Sequence, residues 1–243
     1  MYSVAAKELN RAECKAMADD VLQAIRREIL TGHRPPGAAL GQEEIAASLG
    51  VSRQPVRAAL QHLVAEGWAV QAGLRGLVVA PLRASDAEDL ALLRAEVESL
   101  ALGLASTRLT KAVLGAAEDL HDRLATEPDG AMRASLNWQL HRTLYAPSGR
   151  PFLLDEVDRL YRLGERYLAY QFNVIDNRRQ SQREHAAILK ACRAGHIEQG
   201  QQLLRAHILE AGSQLASCIA SQTEELSRES DHASFTRAPR PRQ

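Results

Sequence analysis

The sequence predicts a mainly α protein in two parts, an N-terminal winged helix-turn-helix and a C-terminal all-α helical bundle. Three observations predict it. Ala and Leu are abundant while aromatic residues make up only 4% of the chain, a composition that suits helices because straight-chain residues lose little rotamer freedom there. The 243 residues, 45% of them hydrophobic, are enough to bury more than one core. Strand-like patterning is confined to one short stretch, residues 68–80, with helical periodicity on either side.

From about Ala12 to Leu30, Met17, Val21, Leu22, Ile25 and Ile29 recur at helical spacing, and Thr31-Gly32-His33-Arg34-Pro35-Pro36-Gly37 ends the helix. A short helix fits Gln42 to Leu49. Gly50 then supplies a turn, and Ser52 is placed to cap a third helix from Arg53 to Glu66. Beyond Gly67, Trp68-Ala69-Val70-Gln71 and Leu77-Val78-Val79-Ala80 read as two strands around Gly73-Leu74-Arg75-Gly76. The first domain is thus expected over 12–81 and a linker over 82–85. Ser85 with Glu88, three residues on, reads as a capping box that opens the second domain, expected over 86–222.

The rest of the chain reads as punctuated helices. Breaks are expected at Glu127-Pro128-Asp129-Gly130 and Ala146-Pro147-Ser148-Gly149-Arg150-Pro151, and Ser181 with Glu184 reads as a second capping box. The last helix is expected to run from Ile197 to about Ser221. Residues 223–243, polar and bearing Pro239 and Pro241, are expected to be disordered.

Charge and cysteines limit the function classes. Lys plus Arg equals Asp plus Glu at 30 each, so the chain as a whole has no pull toward polyanions, and any nucleic-acid site must be local. Cys14, Cys192 and Cys218 form no CxxC pair, which points away from a disulfide scaffold and toward inert, buried thiols. The first residues lack an apolar signal segment and no apolar run approaches the ~18 residues of a membrane span. A cytoplasmic protein with no membrane partner is expected. HExxH, GxSxG and P-loop motifs are all missing, so nothing suggests an enzyme.

On the third helix, Val56, Ala59, Leu60 and Leu63 fall on one side and Arg53, Gln54, Arg57 and Gln61 on the other, with no acid before Glu66. Arginine pairs with guanine edges and glutamine with adenine edges. Two arginines alone would read as solvated helix charges. Their position behind a glycine turn, and ahead of a hairpin tipped by Arg75, points instead to a recognition helix and a wing on double-stranded DNA.

These residues carry a resemblance. Ile29, Gly32, Pro36-Gly37, Leu40, Ile45-Ala46, Leu49-Gly50-Val51-Ser52-Arg53, Pro55-Val56-Arg57, Ala59-Leu60, Leu63, Glu66-Gly67 and Arg75-Gly76 resemble the DNA-binding domain of the GntR family of bacterial regulators. The resemblance implies DNA contacts through Arg53 and Arg57, a wing tip at Gly73–Gly76, and a homodimer on a near-palindromic operator. With the outward side of the helix, the candidate set is Ser52, Arg53, Gln54, Arg57, Gln61, Arg75 and Gly76. Two positions depart from it, since family members usually carry glutamate at Gln42 and an acid at Ala58. Some relatives also contact DNA with a basic residue where Glu43 stands, and that contact is not carried over.

In the second part, Gly195-His196 lies nearly midway between His185 and His207. An antiparallel helical hairpin turning there would bring the two imidazoles to the same height. Asn137 stands one turn before His141. A single histidine on an amphipathic helix is usually structural, and His33, His62, His121, His196 and His232 are taken so. The stretch Ser85–Ser221 resembles the FCD ligand-binding domain of the FadR subfamily through Arg94-Ala95-Glu96-Val97-Glu98, Asn137-Trp138-Gln139-Leu140-His141, Ser181-Gln182-Arg183-Glu184-His185, Ile188-Leu189, Gly195, and Leu204 with His207. That resemblance implies a divalent metal, Zn or Ni, on Asn137, His141, His185 and His207. It also implies a small organic acid as effector, with Arg94 and Arg166 as candidate contacts. The alternatives are a regulator whose effector binds without metal and, remotely, a metal-dependent hydrolase on a helical bundle.

Overall fold

The computed structural model describes residues 2–175 and 177–235, with side chains described over 15–175 and 177–224. The chain divides into two compact units, Met1–Pro81 and Leu82–Gln243.

In the first unit α1 (Tyr2–Leu30), α2 (Gln42–Leu49) and α3 (Arg53–Ala65) precede β1 (Ala69–Gln71) and β2 (Leu77–Val79). The core is built from α1 residues Val21, Leu22 and Ile25, α2 residue Ile45, and the inner side of α3, Val56, Ala59, Leu60 and Leu63. Burying one such side chain stabilises by ~1.5–3 kcal/mol, so this inner side fixes which residues α3 turns outward. Between α2 and α3, Gly50 adopts a left-handed conformation (φ 65°) and lets Val51 N–H reach the Ala46 carbonyl at 3.1 Å, a turn a β-carbon would strain. Ser52 occupies the N-cap position of α3, but its hydroxyl makes no capping bond.

The strands pair antiparallel, with Ala69 opposite Val79 and Gln71 opposite Leu77. One feature escapes the sequence pattern. Residues 37–40 lie along the free edge of β2, with Gly37 N–H bonded to Val79 O (2.9 Å), Val79 N–H to Ala38 O (2.8 Å) and Leu40 N–H to Leu77 O (2.8 Å). The Pro35-Pro36-Gly37 stop therefore also delivers an edge segment that covers backbone groups of the hairpin.

The second unit comprises α4 (Ala84–Ala105), α5 (Lys111–Thr126), α6 (Gly130–Tyr145), α7 (Pro151–Val174), α8 (Arg178–Arg193) and α9 (Ile197–Phe235). Its principal core joins Ala95, Ala101 and Leu102 of α4 to Leu140 and Leu144 of α6, Ile188 of α8 and Leu204 of α9. Trp138 of α6 stacks on Tyr161 of α7, with ring centroids 4.2 Å apart, and Arg142 bonds Asp158 across the same pair of helices at 2.8 Å. Gly195, at φ 76°, turns α8 into α9.

Both expected capping boxes fail. α4 begins at Ala84, before Ser85, and α8 begins at Arg178, before Ser181, so each serine lies inside a first turn. The cap that does form in this unit's third helix is Asp129, which accepts from Met132 N–H at 2.7 Å. The last helix also runs past its expected end near Ser221. α9 continues to Phe235, as the sequence permits, because neither glycine nor proline occurs between Gly212 and Pro239. The remainder, 236–243, lies outside the described residues. Cys192 is buried and its thiol is pushed up to about 11 by burial, Cys218 is only half-buried, and the side chain of Cys14 lies outside the described residues.

Candidate functional site

Two constellations stand out, one in each unit. In the first, the inner side of α3 is fully packed, so Arg53, Gln54, Arg57 and Gln61 all emerge exposed on the opposite side. The free amide groups at the start of α3 add partial positive charge next to Arg53. Arg75 is exposed beside Leu74 at the tip of the hairpin, where Gly76 (φ 73°) closes the turn by accepting Ala72 N–H at 2.8 Å.

The start of α3 is tied to the start of α2 twice. Gln42 Nε2 donates to the Arg53 carbonyl at 2.8 Å, and Glu43 Oε1 lies 2.9 Å from Arg53 Nη1, both side chains being largely exposed. The Gln42 bond gives that departure from the usual glutamate a local use. The Glu43–Arg53 pair is invisible in the sequence, because the two residues are ten apart and meet only through the Gly50 turn.

In the second unit, His141 on α6, His185 on α8 and His207 on α9 converge and are all buried. His185 Nε2 is 3.1 Å from His141 Nε2 and 3.1 Å from His207 Nε2. Around them stands a shell that the sequence reading missed. Glu98 of α4 meets His141 Nδ1 at 3.2 Å, and Glu184 of α8 meets His207 Nδ1 at 2.7 Å. Glu98 also pairs with Arg94 (2.7 Å) and accepts from the Tyr145 hydroxyl. The available signals were weak: an Arg94/Glu98 pair one turn apart on an otherwise apolar helix face, and Glu184 directly before His185. Its spacing from Ser181 makes Glu184 look like part of a capping box, whereas its carboxylate bonds His207.

Burial works against ionised Glu98, but Arg94, His141 and Tyr145 outweigh it and hold the carboxyl down at about 2. For the histidines burial works against the cationic form. It lowers His141, despite Glu98 pulling upward, and it lowers His185 well below the usual imidazole range with help from its two histidine neighbours.

In an uncharged ring the partner of the outer nitrogen decides where the one proton lies. The Nδ1 atoms of His141 and His207 face carboxylates and so carry protons, which leaves a bare lone pair on each Nε2. Both lone pairs point at His185 Nε2, which has one proton at most. Without that proton both N···N contacts set lone pair against lone pair, and with it only one of the two can be a full hydrogen bond, so at least one Nε2 lacks a donor that a cation would replace. His185 Nδ1 is buried without a hydrogen-bond partner. Nitrogens each ~2.1 Å from a shared ion stand roughly 3.0–3.4 Å apart, so the observed spacing fits a divalent metal. The carboxylates on the outer nitrogens are the usual orienting partners of metal-bound imidazoles.

Beside the histidines is a cavity of about 30 Å³, room for one or two waters. Asn137, His141, His207, Arg94 and Glu184 line it together with the amides Gln171, Asn177, Gln180 and Gln214. Asn137 is buried there, one turn before His141. Arg94 thus reaches both the cavity and Glu98. Arg166 is buried on α7 but is not part of this lining. His121, taken as structural, is half-buried with its ring edge-on to His185 at 6.4 Å and its Nε2 3.1 Å from the Gln182 carbonyl.

A winged helix-turn-helix followed by a separate helical unit defines a class, that of DNA-binding transcriptional regulators. Comparison with known proteins gives the family. Residues 17–79 match the bacterial regulatory proteins of the gntR family, and residues 89–210 match the FCD domain. The chain belongs to the GntR family of transcriptional regulators, in its FCD-containing branch, and is not an enzyme.

Among similar proteins is an HTH-type transcriptional regulator from an unstable DNA locus of Streptomyces ambofaciens. It is 33% identical over 165 residues, covering 60% of this chain and 65% of that relative, just under two thirds of its length. The Nta operon transcriptional regulator of Aminobacter aminovorans is 29% identical over 202 residues, covering 82% of this chain and 95% of the relative. A solved GntR regulator from Rhodococcus sp. RHA1 has 25% identity and a TM-score of 0.68, covering 83% of this chain and 98% of that one. Among the described residues no helix is long and apolar enough to cross a membrane.

Proposed function

We propose that the protein is a homodimeric, effector-responsive transcription factor that binds a near-palindromic DNA operator and carries a divalent metal, Zn or Ni, in its FCD domain. His141, His185 and His207 would hold the metal, with Asn137 as the fourth ligand. Bound there, the metal supplies positive charge and open coordination positions for an anionic ligand. The observation that carries this reading is the convergence of three buried Nε2 atoms that the single ring proton of His185 cannot satisfy together.

Glu98 and Glu184 alter the charge balance expected from a neutral ligand set. Arg94 offsets Glu98, and Glu184 offsets part of the metal's charge, so the cavity would present a reduced positive potential. A small organic acid would have to displace water from the cavity and widen it, its carboxylate then meeting the metal position and Arg94. Binding would shift the balance between two arrangements of the dimer that differ in operator affinity. Ser52, Arg53, Gln54, Arg57, Gln61, Arg75 and Gly76 form the DNA-contacting set, arginines and glutamines on base edges and the wing on the backbone or minor groove.

Metal analysis of protein purified without a histidine tag tests the metal. We expect about one equivalent of Zn or Ni per chain. His185→Ala and His207→Ala should each lose the metal and the response of operator binding to effector. Protein that stays metal-free after reconstitution excludes the assignment and leaves the reading in which the effector binds without metal. DNA binding is tested by gel shift against the protein's own upstream intergenic DNA, where steep salt dependence is expected and absence of binding overturns the reading.

A further inference from the structure

Glu43 has no place in the DNA-contacting set above, yet it is paired with Arg53, which has one. Glu43 stands in the first turn of α2, Arg53 is the first residue of α3, and their side chains meet at 2.9 Å in the open. Gln42, next to Glu43, is bonded to the Arg53 carbonyl, so the two helix starts cannot drift apart without breaking both contacts. A carboxylate is therefore held at the edge of the surface proposed to meet DNA, against one of its two helix arginines.

We propose that Glu43 is a specificity-determining residue for DNA. It keeps Arg53 from random phosphates and, on the right sequence, accepts the amino group of a cytosine while Arg53 turns to a guanine. The inference rests on the reading that α3 enters the major groove.

The physical basis is the difference between the two kinds of site. On a random duplex, Arg53 is already neutralised by Glu43 and so displaces less counterion than a free arginine. The carboxylate also repels the phosphates nearby, and non-specific affinity comes almost entirely from such charge terms. On a matching sequence the groove offers replacements for both partners. Guanine O6 and N7 take the guanidinium, and cytosine N4–H₂ donates to the carboxylate. On a mismatched sequence the carboxylate is pressed against the groove with no donor. One acid thus weakens wrong complexes more than right ones.

The test compares wild type with Glu43→Gln and Glu43→Ala, two exposed substitutions that leave the core untouched. Each protein selects its preferred duplex from a randomised pool. Its affinity for the wild-type-selected duplex and for a random-sequence duplex is then measured across a salt series. For Glu43→Gln we expect random-duplex affinity to rise about three- to tenfold and the salt slope on random DNA to steepen by ~1.

Affinity for the selected duplex should rise less or fall, so the ratio of the two affinities drops by about tenfold, and the selected motif should lose one C·G position. Equal gains on both duplexes with an unchanged motif would show Glu43 to be a plain surface charge and overturn the inference, as would no change at all. Arg53→Ala separates this from failure of the underlying reading. If Arg53→Ala leaves affinity and motif as in wild type, or if wild type selects no motif, the recognition helix itself is misassigned.

Discussion

At the scale of single residues, the carboxylate of Glu98 is the most demanding group in the helical unit. It is 1% exposed and would be too costly to ionise there without compensation. Arg94 at 2.7 Å, His141 at 3.2 Å and the Tyr145 hydroxyl provide it. Tyr145 carries the counterpart, its own ionisation pushed far up by burial and by Glu98.

Replacing Glu98 with glutamine strands the Arg94 charge in the interior, and we expect Glu98→Gln to lose on the order of 3 kcal/mol of stability at neutral pH. The pH dependence has a definite sign. A carboxyl lowered from 4.5 to about 2 stabilises the fold fully above its unfolded value and loses that contribution as pH falls through about 2. The gap between wild type and Glu98→Gln should therefore narrow as pH drops from 4.5 toward 2. Urea melts followed by circular dichroism at several pH values check this, and a gap that stays constant with pH contradicts the account.

At the scale of elements, α3 separates stability from recognition within one helix. Val56 and Leu63 are 0% exposed and Arg57 is exposed. We expect Leu63→Ala to destabilise the winged unit by about 2–5 kcal/mol through the cavity it leaves. Arg57→Ala should leave stability within ~0.5 kcal/mol and weaken operator binding by at least about tenfold, since a bidentate guanine contact contributes ~1–3 kcal/mol. Thermal melts and gel shifts on the same two proteins distinguish the roles. Equal effects of both substitutions on melting would refute the division.

That division was legible from sequence because a 3.6-residue period assigns faces without any tertiary knowledge. The His185/His207 hairpin was legible for a similar reason, as Gly195 marks its own turn. The rest depends on contacts between distant segments. Residues 37–40 carry no signal of their own, because an edge segment of this kind takes its pairing from β2. Ser85 and Ser181 look like caps, yet nothing local stops α4 or α8 from starting a turn earlier. Glu184 then has His207 to bond, a partner 23 positions along the chain. Glu98 and Glu43 likewise owe their roles to neighbours on other elements.

At the scale of the whole molecule, α4 carries more apolar surface than its own unit uses. Its inner side, with Ala91, Ala95, Ala101, Leu102 and Ala105, is buried. On the outer side Leu93, Leu100 and Leu104 follow one another at intervals of seven and four residues and are 50%, 53% and 40% exposed, while Val97 between them packs partly against the core. Those intervals match the seam of paired helices. A single helix apolar on both sides is stable only when both are covered. A second copy of α4 fits the requirement, because a two-fold contact needs one self-complementary patch.

On the proposal of a homodimer, Leu93→Glu combined with Leu100→Glu should place like charges across the seam and leave a monomer that remains folded, since neither side chain belongs to the buried core. Sedimentation equilibrium should report one chain mass instead of two. Operator affinity should fall at least about a hundredfold, because half-sites bound separately no longer share one association event. The effect should be far smaller on a duplex carrying only one half-site, for which the winged unit alone suffices. A double variant that still sediments as a dimer moves the interface off α4. A monomer that keeps full operator affinity breaks the link between pairing of helical units and reading of a palindrome.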